Sequence, residues 1–216
     1  VRTQRKEENR ASLMRAALEI VIEQGLPELT TSSVSARVGL AQPTFYAYFD
    51  NIDHLLTASI TEAINEFRSV MRKAMDHVRP EVVMKGDLLE ARSLLYRDNL
   101  NALLADRVVA ELVLRYRRDP TTIVGRTVGA ALSEIRAELA STLQRFARKL
   151  GSPPQVLQRV SFSAEIMMAN TLAVAETLLD GRINDTDEAA RLLAVMNANW
   201  LSFLFKDKEF KALAGD

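Results

Sequence analysis

Cysteine is absent from the chain, which excludes disulfides and cysteine-ligated zinc and leaves His54 and His77 as the only imidazole ligands. Neither a structural metal nor a cofactor is therefore expected. An excess of one charge is missing too: 28 Lys and Arg balance 28 Asp and Glu, so no overall basic character points to a polyanionic partner. Apolar runs are short. None approaches the ~20 uninterrupted apolar residues of a membrane span, and the N-terminal stretch pairs no basic start with an apolar run. A cytoplasmic protein with no membrane partner is the expectation. The eight glycines stand singly, which leaves no phosphate-cradling loop and no dinucleotide fingerprint, and no serine sits in a nucleophile elbow. Carboxylates such as Asp185 and Asp187 fall at an expected helix start, where capping accounts for them. Catalysis is not expected.

What the sequence holds in quantity is helix. Apolar residues recur at spacings of three and four with no strand-like alternation, and turn residues punctuate the chain at Gly25, at Asp119 with Pro120, at 151–154 and at Gly181 with 184–186. The pattern predicts an all-α fold of nine helices. The first spans about 5–24, with Leu13, Ala17, Ile20 and Val21 as its inner stripe. Two short helices lie within 30–49 and a long one starts near Asn51. The rest cover about 82–105, 106–118, 122–150, 153–179 and 186–205. A small head, 1–56, and a larger body, 57–216, are the expected domains. Gly125 and Gly129, four apart inside a helix, permit close helix approach.

Residues 30–49, TTSSVSARVGLAQPTFYAYF, carry the strongest functional signal. Thr30 or Thr31 can cap a helix, and Val34 and Val38 follow at helical spacing. Gly39 ends that helix because a left-handed residue costs least at glycine. Gln42 and Pro43 open the next, where proline's missing N–H is harmless. Phe45 and Phe49 face inward, leaving Gln42, Thr44, Tyr46 and Tyr48 outside. Gln can bond adenine bidentately, Thr can meet a thymine methyl, and Tyr hydroxyls can reach phosphate. The same spacing also suits an ordinary helical hairpin with polar residues turned to water.

The segment 11–56 resembles the DNA-binding domain of the TetR family of bacterial transcriptional repressors: a first helix ending in EQG, then LTTSSVSARVGL, then AQPTFYAYF, then a long helix opening near Asn51. The resemblance implies DNA contacts at Thr31, Ser32, Gln42, Pro43, Thr44, Tyr46 and Tyr48. Thr31 and Tyr46 would meet phosphates, and Gln42, Pro43 and Thr44 would meet bases. Two positions depart from the family pattern. Ile52 stands where a phosphate-binding lysine is usual, so that contact is lost or moved to His54, and Ala41 forfeits a serine cap worth about 1 kcal/mol. RTQRKEENR at the start, DNIDHL at 50–55 and LRYRRDP at 114–120 are similar to the FabR/DesT-like branch, which represses unsaturated fatty-acid genes and senses acyl thioesters.

Charge is the awkward feature of such a head. Residues 1–56 hold six Lys and Arg against seven Asp and Glu, yet the first fifteen carry five cations and two acids. A mobile basic arm including Arg5 could lie along the minor groove, or be a solvated terminus. Few neutralised phosphates imply a shallow salt dependence.

In the body, Ile64, Phe67, Met71, Leu95, Tyr96, Leu132, Ile135, Leu139, Phe162 and Ile166 can line an apolar effector cavity, or be plain core. The last two helices are apolar around more than one face. Met167, Leu172, Leu192, Met196, Trp200 and Phe203 are accordingly expected in a homodimer interface, with a thick intrachain core as the alternative. Pairing there would set two recognition helices against a palindromic operator on double-stranded DNA. Arg107, Arg115, Arg117 and Arg118 are either an anion site or a salt-bridged solvated face. The expected function is a ligand-responsive repressor with a small apolar or fatty acyl thioester effector. The rival is a helical ligand carrier or interaction scaffold with a weak DNA-binding head.

Overall fold

In a computed structural model the described residues are 2–76, 88–149 and 154–206, and they form nine α-helices and no strand. These are α1 (Arg2–Glu23), α2 (Thr31–Arg37), α3 (Gln42–Phe45), α4 (Ile52–Asp76), α5 (Leu88–Leu104), α6 (Arg107–Tyr116), α7 (Ile123–Lys149), α8 (Pro154–Leu179) and α9 (Thr186–Lys206). A 3-10 turn, Leu26–Glu28, follows α1. Residues 82–87, where the fifth helix was expected to begin, lie outside the described residues.

Packing divides the chain into two compact units, 1–67 with 106–132, and 68–105 with 133–216. The first unit therefore takes in more chain than the head 1–56. The reason is α6, which packs on α1. Asp106 caps α6, accepting from the N–H groups of Val108 (3.0 Å) and Val109 (3.3 Å), and the same carboxylate pairs with Arg15 of α1. About two turns further along α1, Arg115 donates to the Ile22 carbonyl at 3.1 Å, satisfying an acceptor that the end of α1 leaves free. Between these polar ties Ala110, Val113 and Leu114 are buried, as are Leu13, Ala17, Ile20 and Val21 on α1. The expected inner stripe of the first helix is thus the observed one. Gly25, at φ +94°, stops α1.

Gly125 has a different role from the one its spacing suggested. A Cβ there would lie 1.6 Å from the Asp119 carbonyl oxygen and 3.0 Å from that of Tyr116, so the close approach is made by the turn between α6 and α7, not by another helix. Gly129 meets nothing within 4 Å. The arginines of α6 are used locally: Arg107 pairs with Glu111 at 2.8 Å, Arg115 is held as above, and Arg117 donates to the Leu114 carbonyl. Glu111 thus stands between Arg107 and Arg115, the latter at 4.0 Å, while Arg117 makes a backbone contact.

In the second unit α5 packs on α9 and α8. Leu100, Leu103, Val160, Ala164, Ala189, Ala190, Leu193 and Ala194 form its apolar interior. Arg68 on α4 bridges Glu134 (2.8 Å) and Glu138 (2.7 Å) on α7, and Arg136 on α7 pairs with Glu165 on α8 at 3.1 Å.

Candidate DNA-reading interface

Thr30 is the cap of α2. Its Oγ1 accepts from the Ser33 N–H at 3.0 Å, while Ser33 Oγ accepts from the Thr30 N–H at 2.9 Å, a reciprocal box that satisfies two donors at the helix start. Ser33 Oγ also donates to the Glu28 carbonyl at 2.8 Å, tying α2 to the preceding 3-10 turn. Because Thr30 caps, Thr31 is released for another contact. Gln42 Nε2 donates to its hydroxyl at 2.9 Å, which locks the first residue of α3 to the first residue of α2.

The turn between them is a Schellman motif. The Leu40 N–H donates to the Ser35 carbonyl (2.9 Å) and the Gly39 N–H to the Ala36 carbonyl (3.2 Å), with Gly39 at φ +68°. A side chain at 39 would be strained by that backbone. Val34 and Ser35 are buried beneath the motif and Val38 is half-buried.

Ala41 gives α3 no side-chain cap, as its chemistry requires, and α3 is a single turn with Pro43 inside its start. Beyond Phe45 the chain tightens: Ala47 N–H donates to Thr44 (3.1 Å) and Tyr48 N–H to Phe45 (2.9 Å), both three residues back. The Phe49 N–H still reaches four residues back to the Phe45 carbonyl at 3.1 Å, so Phe45 and Phe49 both face inward, and Tyr46 is 56% exposed, edge-on to Phe45. Gln42 and Pro43 are exposed and Thr44 is half-buried. Tyr48, expected outside, is half-buried, and its hydroxyl accepts from Asn9 Nδ2 of α1 at 3.0 Å. Its phenol oxygen is thereby a brace between α1 and the reading element. Asn9 was missed by the sequence reading, since nothing local links residues 39 positions apart.

Asn51 opens α4, accepting from the His54 N–H at 2.8 Å. Ile52 is half-buried. His54, the suggested substitute for the family lysine, has its Nδ1 3.0 Å from the Asp50 carboxylate, which leaves Nε2 as the nitrogen able to reach outward.

The basic groups are largely engaged inside the unit. Arg10 pairs with Glu62 at 2.9 Å and lies over the Phe49 ring at 5.6 Å. Arg37 is held by Glu23 at 2.6 Å and Glu19 at 3.6 Å, and the hydrogen bond to Glu23 raises its pKa above the usual arginine value. Burial works against the charge of Arg15, but Glu19 and Asp106 outweigh it and its pKa is also raised. Arg5 and Lys6 are exposed and make no ion pair among the described residues. They do not belong to a loose arm: α1 is continuous from Arg2, because nothing in RTQRKEENR breaks a helix.

The body residues named from the sequence divide between the units. Ile64, Phe67 and Leu132 belong to the first, and Leu95, Tyr96, Ile135, Leu139, Phe162 and Ile166 to the second. Ile64, Tyr96, Leu132 and Ile135 are buried, while Phe67, Leu95, Leu139 and Ile166 are half-buried. Phe162 is 60% exposed, because Ser163 and Ala164 take the inner face of α8. It does not line an interior. On α9, Leu192 and Met196 are 50% and 53% exposed; Met167 and Leu172 on α8 are half-buried. The side chains of Met71, Trp200 and Phe203 lie outside the described residues. No group of metal-binding side chains and no helix long and apolar enough to cross a membrane occurs among the described residues.

A capped helix, a left-handed glycine turn and a short second helix with its polar residues outward define a helix-turn-helix DNA-binding regulator. Residues 13–58 match the family of bacterial regulatory proteins described as the tetR family. The match spans the helix-turn-helix segment, from within α1 to the first turns of α4. Three solved structures share the fold. A transcriptional regulator from Pseudomonas aeruginosa PAO1 is 16% identical, with 91% of each chain covered and a TM-score of 0.72. The fatty acid degradation regulator FadR from Bacillus halodurans is 18% identical over 87% of this chain and 93% of its own, at 0.68. FadR from Bacillus subtilis, solved in complex with stearoyl-CoA, is 16% identical over 90% and 96%, at 0.64.

Proposed function

We propose that the chain is a cytoplasmic repressor that binds a palindromic operator as a homodimer and leaves it when an acyl-type effector binds the body. The observation that carries the DNA reading is the pinned pair Thr31 and Gln42, with Pro43, Thr44 and Tyr46 beside it on a one-turn helix. Gln42 keeps its Oε1 and one N–H for a base, so Gln42, Pro43 and Thr44 read bases while Thr31, Ser32 and Tyr46 meet phosphate. Arg5 reaches backbone from the start of α1, and Tyr48 braces the element while offering its hydroxyl proton.

Support for pairing comes from α9. Ala189, Ala190, Leu193 and Ala194 face the interior, whereas Leu192, Val195 and Met196 form a second apolar face that is exposed in the single chain. An exposed apolar face of this kind marks an association surface. A dimer built on it places two reading elements against two half-sites, and repression then needs only occupancy of promoter DNA. The fold shared with a stearoyl-CoA-binding regulator supports a fatty-acyl effector, which must favour the conformation that does not bind DNA.

Selection of tight binders from a random duplex library, followed by footprinting, tests this reading. An inverted repeat is expected. Gln42→Ala should weaken binding by about 1–3 kcal/mol and relax the sequence preference at one position of each half-site. Recovery of no symmetric sequence at low salt would sink the proposal.

A further inference from the structure

Polar side chains gather inside the second unit in a way that an apolar core does not need. On α5, Arg92, Tyr96 and Asn99 follow one another at spacings of four and three, which puts them on one face of the helix. Tyr96 is 6% and Asn99 7% exposed, and Arg92 is half-buried. The Tyr96 phenol oxygen accepts from Asn197 Nδ2 of α9 at 2.8 Å, and Asn197 Oδ1 accepts in turn from Asn170 Nδ2 of α8 at 3.3 Å. That relay fixes the ring of Tyr96 but makes no use of its hydroxyl proton.

Each of the three side chains thus retains unused capacity among the described residues. Asn99 Oδ1 is buried and accepts no hydrogen bond. Arg92 makes no ion pair with a carboxylate among the described residues, and burial lowers its pKa from the usual value while Tyr96 works the other way. Burial pushes the Tyr96 hydroxyl up to about 12, so it remains a donor at any physiological pH. Buried polar groups without partners are rare in native proteins and call for a specific reason. Here one cation, one O–H donor and one acceptor stand in sequence along about 10 Å of helix, at 1.5 Å rise per residue.

We propose that Arg92, Tyr96 and Asn99 hold the polar head of a thioester effector, with Tyr96 and Arg92 donating to its carbonyl oxygens and Asn99 Oδ1 accepting from an amide N–H on the thiol arm. The assignment rests on the acyl-effector reading above and adds the chemistry of the head. An ionised free fatty acid carries acceptors only, so it satisfies Arg92 and Tyr96 but gives Asn99 nothing. A pantetheine thioester presents carbonyl oxygens and an amide N–H on one extended arm, which matches both the sign and the length of the array. Recognition of a buried acceptor by a ligand N–H discriminates strongly, because a ligand lacking the donor leaves the acceptor unpaired.

The test is calorimetric titration of the full chain with stearoyl-CoA, S-stearoyl-pantetheine and stearate. Wild type should bind both thioesters, and stearate at least about tenfold more weakly. Tyr96→Phe, Arg92→Gln and Asn99→Leu should each weaken thioester binding about tenfold, with Asn99→Leu leaving stearate unchanged. Thermal denaturation without ligand provides the second readout: Asn99→Leu removes an unpaired buried acceptor, so its stability should equal or exceed wild type, whereas a purely structural asparagine predicts a loss. If stearate binds as tightly as the thioesters, or if all three variants bind stearoyl-CoA like wild type, the head assignment is overturned while the acyl reading stands. If wild type binds none of the three, both are overturned.

Discussion

Gly125 and Gly129 occupy the same helix four residues apart, and alanine at the two positions should have opposite effects. At Gly125 the added Cβ would sit 1.6 Å from the Asp119 carbonyl oxygen and 2.6 Å from its carbon. An ordinary C···O contact is about 3.3–3.6 Å, so the carbonyl must retreat by roughly 2 Å. Backbone is what has to move, and it is pinned. Asp119 N–H donates to the Tyr116 carbonyl at 3.0 Å, Asp119 Oδ1 accepts from the Thr121 N–H at 3.0 Å, and Arg126 donates to the Thr121 carbonyl at 2.9 Å. Overpacking of this kind costs about 1–3 kcal/mol or more, against a gain of about 1 kcal/mol from replacing a mid-helix glycine. At Gly129 nothing opposes the gain, because no atom lies within 4 Å of the new methyl.

Thermal melts followed by helical circular dichroism, at one protein concentration because the proposed dimer would make the midpoint concentration-dependent, measure both variants. Gly129→Ala should melt about 2–4 °C above wild type, the shift expected for 1 kcal/mol in a chain of this size. Gly125→Ala should melt below wild type by a similar amount or more. The turn also terminates α6, which packs on α1, so Gly125→Ala should weaken operator binding while Gly129→Ala leaves it intact. A Gly125→Ala protein as stable as wild type would refute the close approach and with it the account of this turn.

Removing the α2 cap with Thr30→Ala should cost about 1 kcal/mol of stability and loosen operator binding with no change in sequence preference, read by denaturant titration and footprinting. Operator affinity should fall with salt at a slope near −2 per subunit, about −0.9 each for the contacts of Arg5 and Lys6; a slope steeper than about −4 would contradict the pairing of Arg10, Arg15 and Arg37. Folding stability should decline as pH rises from 10 toward about 12, because neutral Tyr96 is favoured by burial only in the folded state and its contribution is complete below pH 10. Tyr96→Phe should flatten that decline, and an unchanged alkaline profile would show that Tyr96 does not titrate in a buried site.

Local chemistry was readable in advance where it is decided locally. Gly39 announced a left-handed turn because only glycine takes φ +68° without strain, and Phe45 with Phe49 announced the inner face of the element. Tyr48 was placed outside by the same reasoning and is half-buried, because its N–H reaches only three residues back to Phe45 and its hydroxyl meets Asn9 of α1. Gly125 shows the limit more sharply. Its spacing from Gly129 suggested a helix partner, whereas its neighbour is a turn only six residues back, an approach no periodicity encodes. Pairings such as Arg15 with Asp106, 91 residues apart, or Tyr96 with Asn197, 101 apart, depend on the tertiary fold and leave no local trace.

The neutral charge balance and the DNA-reading geometry are then two sides of one arrangement. Arg10, Arg15 and Arg37 serve the packing of α1 against its neighbours in the first unit, through Glu62, Asp106, Glu19 and Glu23. Cations held in that way orient helices but have little remaining attraction for phosphate. The half-buried Ile52 adds none where the family's lysine would stand. On the proposed reading, affinity comes from hydrogen bonds made by Gln42, Thr44 and Tyr46 at fixed positions, reinforced by those of a second subunit. Such binding depends on geometry more than on charge. A small reorientation of α1, α2 or α3 removes more of it than it would from a protein held by long, adaptable lysines, and that sensitivity is what an effector-operated repressor requires.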